Sequence, residues 1–223
     1  MTAEAKTVVE EKVRDHFHDD AYRFDAIYET KKGPFASFVD NVWRGVVQKR
    51  LELNVEKLEP LEGKKILDVG CGSGRFCFAF AQRGAAKVLG VDFAPAMIDI
   101  ANKLAVEKGV ADRCEFRVGT FPAIVSDDDG PFDACTGNGF FDYIEDPVSI
   151  ISDMRRLTKG KMVMSFPKKY EFRIPLRKVR FWLKGTPLFL YTEPQVRDIM
   201  AKAGVTDYEV IHLDRDYLVV ANV

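Results

Sequence analysis

Apolar positions before residue 60 recur with helical spacing. Phe35, Phe38, Val39, Val42, Trp43, Val46 and Val47 step alternately by three and by one, which lines them along one stripe of a helix. Pro34 suits the first helical position, where a missing N–H does no harm, and Pro60 and Gly63 close the segment. The stripe predicts a helix packed on the main domain. The charged stretch before it, 4–20, also reads as helix.

From Lys64 the pattern changes. Short apolar runs at 65–69, 87–92, 114–118, 132–136 and 161–166 read as strands. Between them, 75–82 and 95–108 carry helical spacing, and Asp146-Pro147 reads as an N-cap followed by a first-turn proline. Thr192 and Gln195 have capping-box spacing before a helix that Gly204 ends. Residues 208–213 and 217–221 read as an antiparallel pair around 214–216. Strands alternating with helices predict an α/β fold. Its form is a doubly wound, mainly parallel seven-stranded sheet, with a terminal antiparallel strand and helices on both faces. Residues 1–60 would be an N-terminal helical extension and 61–223 the main domain. Ligands of such sheets sit at the carboxyl ends of the early strands.

Composition narrows the function. A net charge of -1, from 33 basic and 34 acidic residues, argues against a dedicated nucleic-acid binder. The four cysteines form no CxxC pair, and Cys71 and Cys135 read as small buried residues rather than nucleophiles. The first dozen residues are charged and lack a signal-peptide apolar region, and no run approaches membrane-span length. These features predict a cytoplasmic protein.

The segment Leu67-Asp68-Val69-Gly70-Cys71-Gly72-Ser73-Gly74 carries the main chemical signal. Glycines there let backbone approach a ligand, and the next helix begins at the same place. Arg75 stands where a dinucleotide fingerprint needs glycine, and no Lys-Ser/Thr follows the loop. Asp68 places an acid beside the loop, which suits a cationic amino group and disfavours pyrophosphate. Asp92 ends the next strand, where a carboxylate can take two ribose hydroxyls. The ligand implied is a nucleoside without phosphates and with an ammonium group.

Residues 64–222 resemble a class I S-adenosylmethionine-dependent methyltransferase. Residues 66–74 resemble the family's first motif, 88–92 its ribose-binding strand, and 132–144 its fourth strand and exit loop. The resemblance implies S-adenosylmethionine (SAM) as cofactor and S-adenosylhomocysteine (SAH) as product. It places Asp68, Gly70, Cys71, Gly72 and Gly74 around the methionine moiety and Asp92 on the ribose. Phe93 and Met97 would flank the adenine. Thr120 and Phe121 stand where many relatives carry an acid for the adenine amino group. Asn138 and Gly139 would lie beside the sulfonium and the acceptor. The 21–28 segment resembles the N-terminal lid of quinone and porphyrin methyltransferases, with Tyr28 the residue that closes over the cofactor.

Methyl transfer from a sulfonium mainly needs alignment and desolvation, and a hydroxyl acceptor also needs a base. Where many relatives read Leu-Glu-His-Ile, this chain reads Phe141-Asp142-Tyr143-Ile144. Asp142 and Tyr143 are therefore the candidates in that loop. His18 is a third, if the N-terminal segment swings over the pocket. His16 and His18 face nearly opposite ways on a helix, His212 lies in a late strand, and no metal is expected. The acid run 127–129 reads as a solvated loop.

A basic and aromatic segment follows strand five, within an insertion at about 167–191. It fits an anionic acceptor, an interfacial segment admitting an apolar one with peripheral membrane contact, or a plain helix with a solvated basic face. The reading is methylation of a small molecule, at a hydroxyl oxygen. The alternatives are RNA methylation, disfavoured by the neutral balance, and SAM binding without turnover. A nicotinamide-dependent reductase is disfavoured by Arg75, and by Tyr28 and Lys32 preceding the glycine loop.

Overall fold

The computed structural model describes residues 34–169 and 188–223, without the side chains of 34–44 and 46. His16, His18, Tyr28 and the basic stretch 170–187 lie outside the described residues, and the 35–47 stripe is described as helix without most of its side chains. Seven strands form one sheet in the order β3-β2-β1-β4-β5-β7-β6. These are β1 (Lys65–Val69), β2 (Lys87–Asp92), β3 (Cys114–Val118), β4 (Phe132–Gly137), β5 (Thr158–Pro167), β6 (Tyr208–His212) and β7 (Asp216–Asn222). Strands β1 to β5 pair in parallel; β7 slots antiparallel between β5 and β6. The order reverses beside β1, between β2 and β4, and opens the crevice where ligands of doubly wound sheets bind.

The described helices are α1 (Pro34–Leu58), α2 (Arg75–Ala81), α3 (Pro95–Glu107), α4 (Pro147–Leu157) and α5 (Glu193–Lys202). Two N-termini follow the capping chemistry expected of them. The Asp146 carboxylate accepts the Ser149 N–H at 3.1 Å, with Pro147 in the first turn of α4. Thr192 and Gln195 complete a capping box on α5. Strand β5 begins earlier than its apolar run suggested. Thr158 leaves α4 directly into the strand, its hydroxyl donating to the Met154 carbonyl at 2.7 Å.

Alternation along the strands divides the core. Leu67, Val69, Leu89, Val91 and Cys135 pack on one face with Phe141, Ile151, Met154, Val196 and Met200. Ile66, Val88, Ala134 and Val163 pack on the other with Phe80, Ile98, Val55 and Leu58. The end of α1 thus belongs to the same core as α2 and the sheet. Both sheet faces are covered, so β1 and β2 read as nearly unbroken apolar runs.

The acid run 127–129 forms a short 3-10 turn rather than a free loop. Asp129 takes two hydrogen bonds from Arg117, at 2.7 and 2.8 Å, and Asp127 pairs with Arg156. The Arg117 contact holds the Asp129 carboxyl well below the usual carboxylate range. Asp127 and Asp128 stay exposed, as expected of the run, and strand β3 brings Arg117 across to Asp129 alone. His212 sits on the surface, 2.8 Å from Glu193, with its ring edge on Tyr217.

Candidate active site

The glycine loop leaves β1 and turns under the carboxyl end of β2. Gly70 and Cys71 both donate to the Val91 carbonyl, at 2.9 and 3.1 Å. Gly70, Gly72 and Gly74 all have positive φ, at +71°, +52° and +81°. Two of them are also sterically closed. A methyl group on Gly70 would lie 2.8 Å from the Phe140 Cβ, and one on Gly74 would lie 2.7 Å from the Phe78 ring. Gly72 differs, with nothing within 4 Å of that position. The loop therefore packs its outer glycines inward and leaves the middle one facing open space.

The two acids of the sequence argument are built into this loop in different ways. Asp92 ends β2, and its carboxylate accepts the Gly72 N–H and the Ala94 N–H, each at 2.9 Å. It therefore fixes the loop and the start of α3 together. Burial raises its pKa, opposed by those two hydrogen bonds. Asp68 does not project from the loop. Strand alternation turns it toward α2, where it is 1% exposed. One oxygen accepts the Thr136 hydroxyl at 2.7 Å, the other the Cys77 thiol at 3.3 Å. Burial pushes its carboxyl up to about 6, with Asp92 adding to the rise. A carboxylate offers four lone-pair directions, so each acid keeps capacity for a further donor.

Beyond Asp92, Phe93 and Met97 group with Ala94, Ala96 and Ile100 in a small apolar cluster apart from both main cores. Thr120 is exposed, whereas Phe121 is buried in the core against the sheet. Cys71, Cys77 and Cys135 are buried, and burial raises the Cys77 and Cys135 thiols, which suits packing rather than nucleophilic attack.

The exit of β4 forms the other wall. Phe140 lies against Gly70 and Gly137, and its ring meets Phe141 at 4.4 Å between centroids. Phe141 stacks on Phe166 at 4.6 Å, and Phe166 meets Tyr191 edge-on at 5.4 Å. Gly139 N–H donates to the Ser165 hydroxyl at 2.9 Å. Asp142 is buried and Tyr143 half-buried in a 3-10 turn. The Asp142 carbonyl accepts the Phe189 N–H at 2.8 Å, and the Tyr191 hydroxyl donates to the Phe141 carbonyl at 3.1 Å.

Residues 167–169 and 189–191, the ends of the expected insertion, lie side by side. Tyr191 N–H donates to the Pro167 carbonyl at 2.8 Å, and Lys169 N–H to the Tyr191 carbonyl at 2.7 Å. The exit loop is thus stitched to the neck of the insertion.

The Asn138 side chain is not directed only at the pocket. It forms a reciprocal amide pair with Asn54 of α1, at 3.0 and 3.2 Å. Arg50, one helical turn earlier, binds Asp216 at 2.8 and 2.7 Å, and its Nη1 lies 3.1 Å from where a Gly139 Cβ would stand. Neither Asn54 nor Arg50 stood out in the sequence. An asparagine and an arginine on a helix with no motif carry no signal of a partner 84 or 166 residues away.

A shallow hollow of about 520 Å³ lies at the other end of the sheet, lined by Glu59, Pro60, Leu61, Glu62 and Arg83. It is remote from the glycine loop. Among the described residues no group of three or more His, Cys, Asp or Glu side chains could hold a metal ion. No described helix is long and apolar enough to cross a membrane.

Comparison with known proteins gives three findings. A family profile for a methyltransferase domain matches residues 60–184. A ubiquinone biosynthesis O-methyltransferase of Pseudomonas aeruginosa is 35% identical over 126 residues, covering 54% of this chain and 53% of that protein. One of Xylella fastidiosa is 30% identical over 141 residues, covering 59% and 56%. The chain spans about half the length of these curated relatives. Among solved structures, the magnesium protoporphyrin IX methyltransferase of Synechocystis with bound SAH superposes with a TM-score of 0.74. It is 21% identical and covers 96% of this chain and 99% of its own. The [4+2]-cyclase SpnF superposes at 0.61 with 22% identity, covering 76% and 61%. Likeness at this identity establishes a shared fold, and function lies in the site built on it.

Proposed function

The chain belongs to the methyltransferase domain family, and we propose that it moves the methyl group of S-adenosylmethionine to a small-molecule acceptor, at a hydroxyl oxygen. The observation that carries this reading is the pair of acids around an open glycine. Gly72 faces free space, Asp92 holds its N–H, and Asp68 lies buried beneath the same loop. Asp92 thus stands at the loop for a ligand's hydroxyls, and Asp68 places negative charge beneath it for a ligand's cation. Those groups fit the ribose and the ammonium of SAM.

When bound, SAM supplies an electrophilic methyl group on sulfur and leaves as SAH. The remaining work belongs to the chain. Asp92 would hold the ribose hydroxyls and keep the loop in register with α3. Phe93 and Met97 would flank the adenine, with Thr120 at its edge. Asp68 would balance the ammonium, its ionised form favoured by a nearby cation. On the acceptor side, Asp142 and Tyr143 would orient the hydroxyl and take up its proton, directly or through water. On that side the half-buried Phe140 ring, backed by the buried Phe141, Phe166 and Tyr191, offers an apolar surface that suits a hydrophobic acceptor.

In this reading the N-terminal extension, up to the packed end of α1, forms a lid carrying Tyr28 and His18, and the segment 167–191 shapes the acceptor pocket. The reaction takes place in the cytoplasm, on acceptors of the quinone or porphyrin kind named for the relatives. Calorimetric titration of the purified chain with SAH tests the cofactor half. Binding that Asp92→Ala abolishes supports it; no binding, with no effect of Asp92→Ala on a SAM titration, overturns it. Labelled SAM in native cell extract, followed by mass spectrometry of the methylated product, then identifies the acceptor.

A further inference from the structure

The side chain just past β4 is committed to the N-terminal helix. Asn54 is fully buried. Its amide N–H₂ donates to the Arg50 carbonyl at 2.8 Å and to Asn138 Oδ1 at 3.2 Å, so both hydrogens are spent. Its oxygen accepts from Asn138 Nδ2 at 3.0 Å. The bond to the Arg50 carbonyl also sets which end of the Asn54 amide is nitrogen, and with it the orientation of Asn138. Asn138 keeps one N–H and one lone-pair direction.

The neighbouring bonds make this a clamp rather than a chance contact. Gly139 N–H is held by Ser165 on β5. Arg50 reaches over Gly139 to Asp216 on β7, whose side chain is 4% exposed. Asn138 and Gly139 are therefore gripped from α1 and β5, with Arg50 of α1 itself anchored on β7. They stand between Thr136, which bonds Asp68, and Phe140, which bears on Gly70. Any rotation of this peptide would shift both walls of the glycine loop.

We propose that Asn54 is a positioning residue of the methyl-transfer site. It holds Asn138 so that the β4 exit presents a fixed backbone and one free amide N–H to the cofactor. This rests on the methyltransferase reading, and it makes α1 a structural part of the site as well as of the core.

The test compares SAH dissociation constants, read by calorimetry, with thermal melts of the same proteins. Wild-type binding comes first, because its absence overturns the functional reading and not the clamp. Given that binding, Asn54→Ala weakens SAH about tenfold, a loss of the size expected from a buried hydrogen bond. Asn138→Ala does the same, and the double variant is no weaker than either. Lys57→Ala, which frees α1 from Glu209, leaves SAH binding unchanged.

Asn138→Asp keeps the proposal falsifiable should Asn54→Ala not fold. Ionised, the new carboxylate sets an oxygen against Asn54 Oδ1 and breaks the pair. Protonated, its O–H donates there and restores it. The ratio of its SAH dissociation constant to that of wild type at the same pH falls as pH drops from about 7.5 to about 4.5, and it stays above one because the single O–H is spent on Asn54 and nothing replaces the free amide N–H. A folded Asn54→Ala with wild-type affinity, or an Asn138→Asp ratio that does not change with pH, overturns the proposal.

Discussion

The Thr136 hydroxyl donates to Asp68 across the β1–β4 pair at 2.7 Å, 68 residues apart in sequence. The bond joins the two strands that frame the crevice, directly below the glycine loop. Together with the Cys77 thiol it gives the buried carboxyl two donors and no cation. Burial nevertheless pushes the group up to about 6, above the ordinary carboxylate value of 3.8, against the lowering effect of these two donors.

Asp68→Asn will stabilise the ligand-free protein near neutral pH while abolishing tight SAM binding. The sign follows from linkage. A carboxyl whose folded pKa is raised binds its proton more tightly in the native state. Its contribution is complete below the unfolded pKa and is lost as pH rises through about 6. The loss amounts to about 3 kcal/mol from the two pKa values. Urea unfolding at pH near 7, with and without the substitution, checks the stability. A parallel calorimetric titration checks the binding.

The same group predicts that SAH and SAM affinity rises with pH. A cationic ammonium favours ionised Asp68, so binding releases a proton below the free pKa of about 6. The dissociation constant should fall about tenfold per pH unit well below that value and level off above it. Titrations in buffers of different ionisation enthalpy measure the released proton directly.

Gly72→Ala and Gly74→Ala should fail in opposite ways. Each has positive φ, which costs an alanine about 1 kcal/mol. At Gly72 the added methyl meets nothing, so the chain folds but the space for the cofactor shrinks. At Gly74 it meets the Phe78 and Phe116 rings at 2.7 and 2.9 Å, adding about 1–3 kcal/mol of overpacking. Melting temperature should separate the two before any ligand is added.

Arg50→Ala should destabilise the fold by about 3 kcal/mol, since it leaves Asp216 buried without its cation. Removing both partners should recover part of that loss. Denaturant unfolding of the two single variants and the double variant provides the comparison.

Tyr143→Phe and Asp142→Asn should lower kcat for a hydroxyl acceptor by about 100-fold while sparing SAH binding. Once the acceptor is identified, steady-state kinetics beside calorimetry makes the distinction. Equal loss of cofactor affinity would assign these residues to the fold.

Much of the sheet is legible in the chain because its strands are buried on both faces. Runs such as Lys65–Val69 and Lys87–Asp92 stand out, and the turns between them carry local chemistry at Asp146, Thr192 and Gly204. The glycine loop and Asp92 are legible for the same reason, since their spacing is local. The burial of Asp68 is harder to see. It follows from strand alternation, but only the packed helix supplies Cys77 as a partner. Asn54, Arg50 and the pairing of Asp129 with Arg117 depend on contacts between distant segments. No pattern within either partner announces them.

The neck of the insertion has an evolutionary consequence. Pro167, Lys169 and Tyr191 close it with main-chain hydrogen bonds, and Tyr191 is further secured to the Phe141 carbonyl. Main-chain bonds are indifferent to the side chains strung between them. A change in what joins the two ends therefore leaves these bonds, and the sheet edge they hold, in place. Under the proposed function the neck would be a socket through which one donor platform is turned to new acceptors.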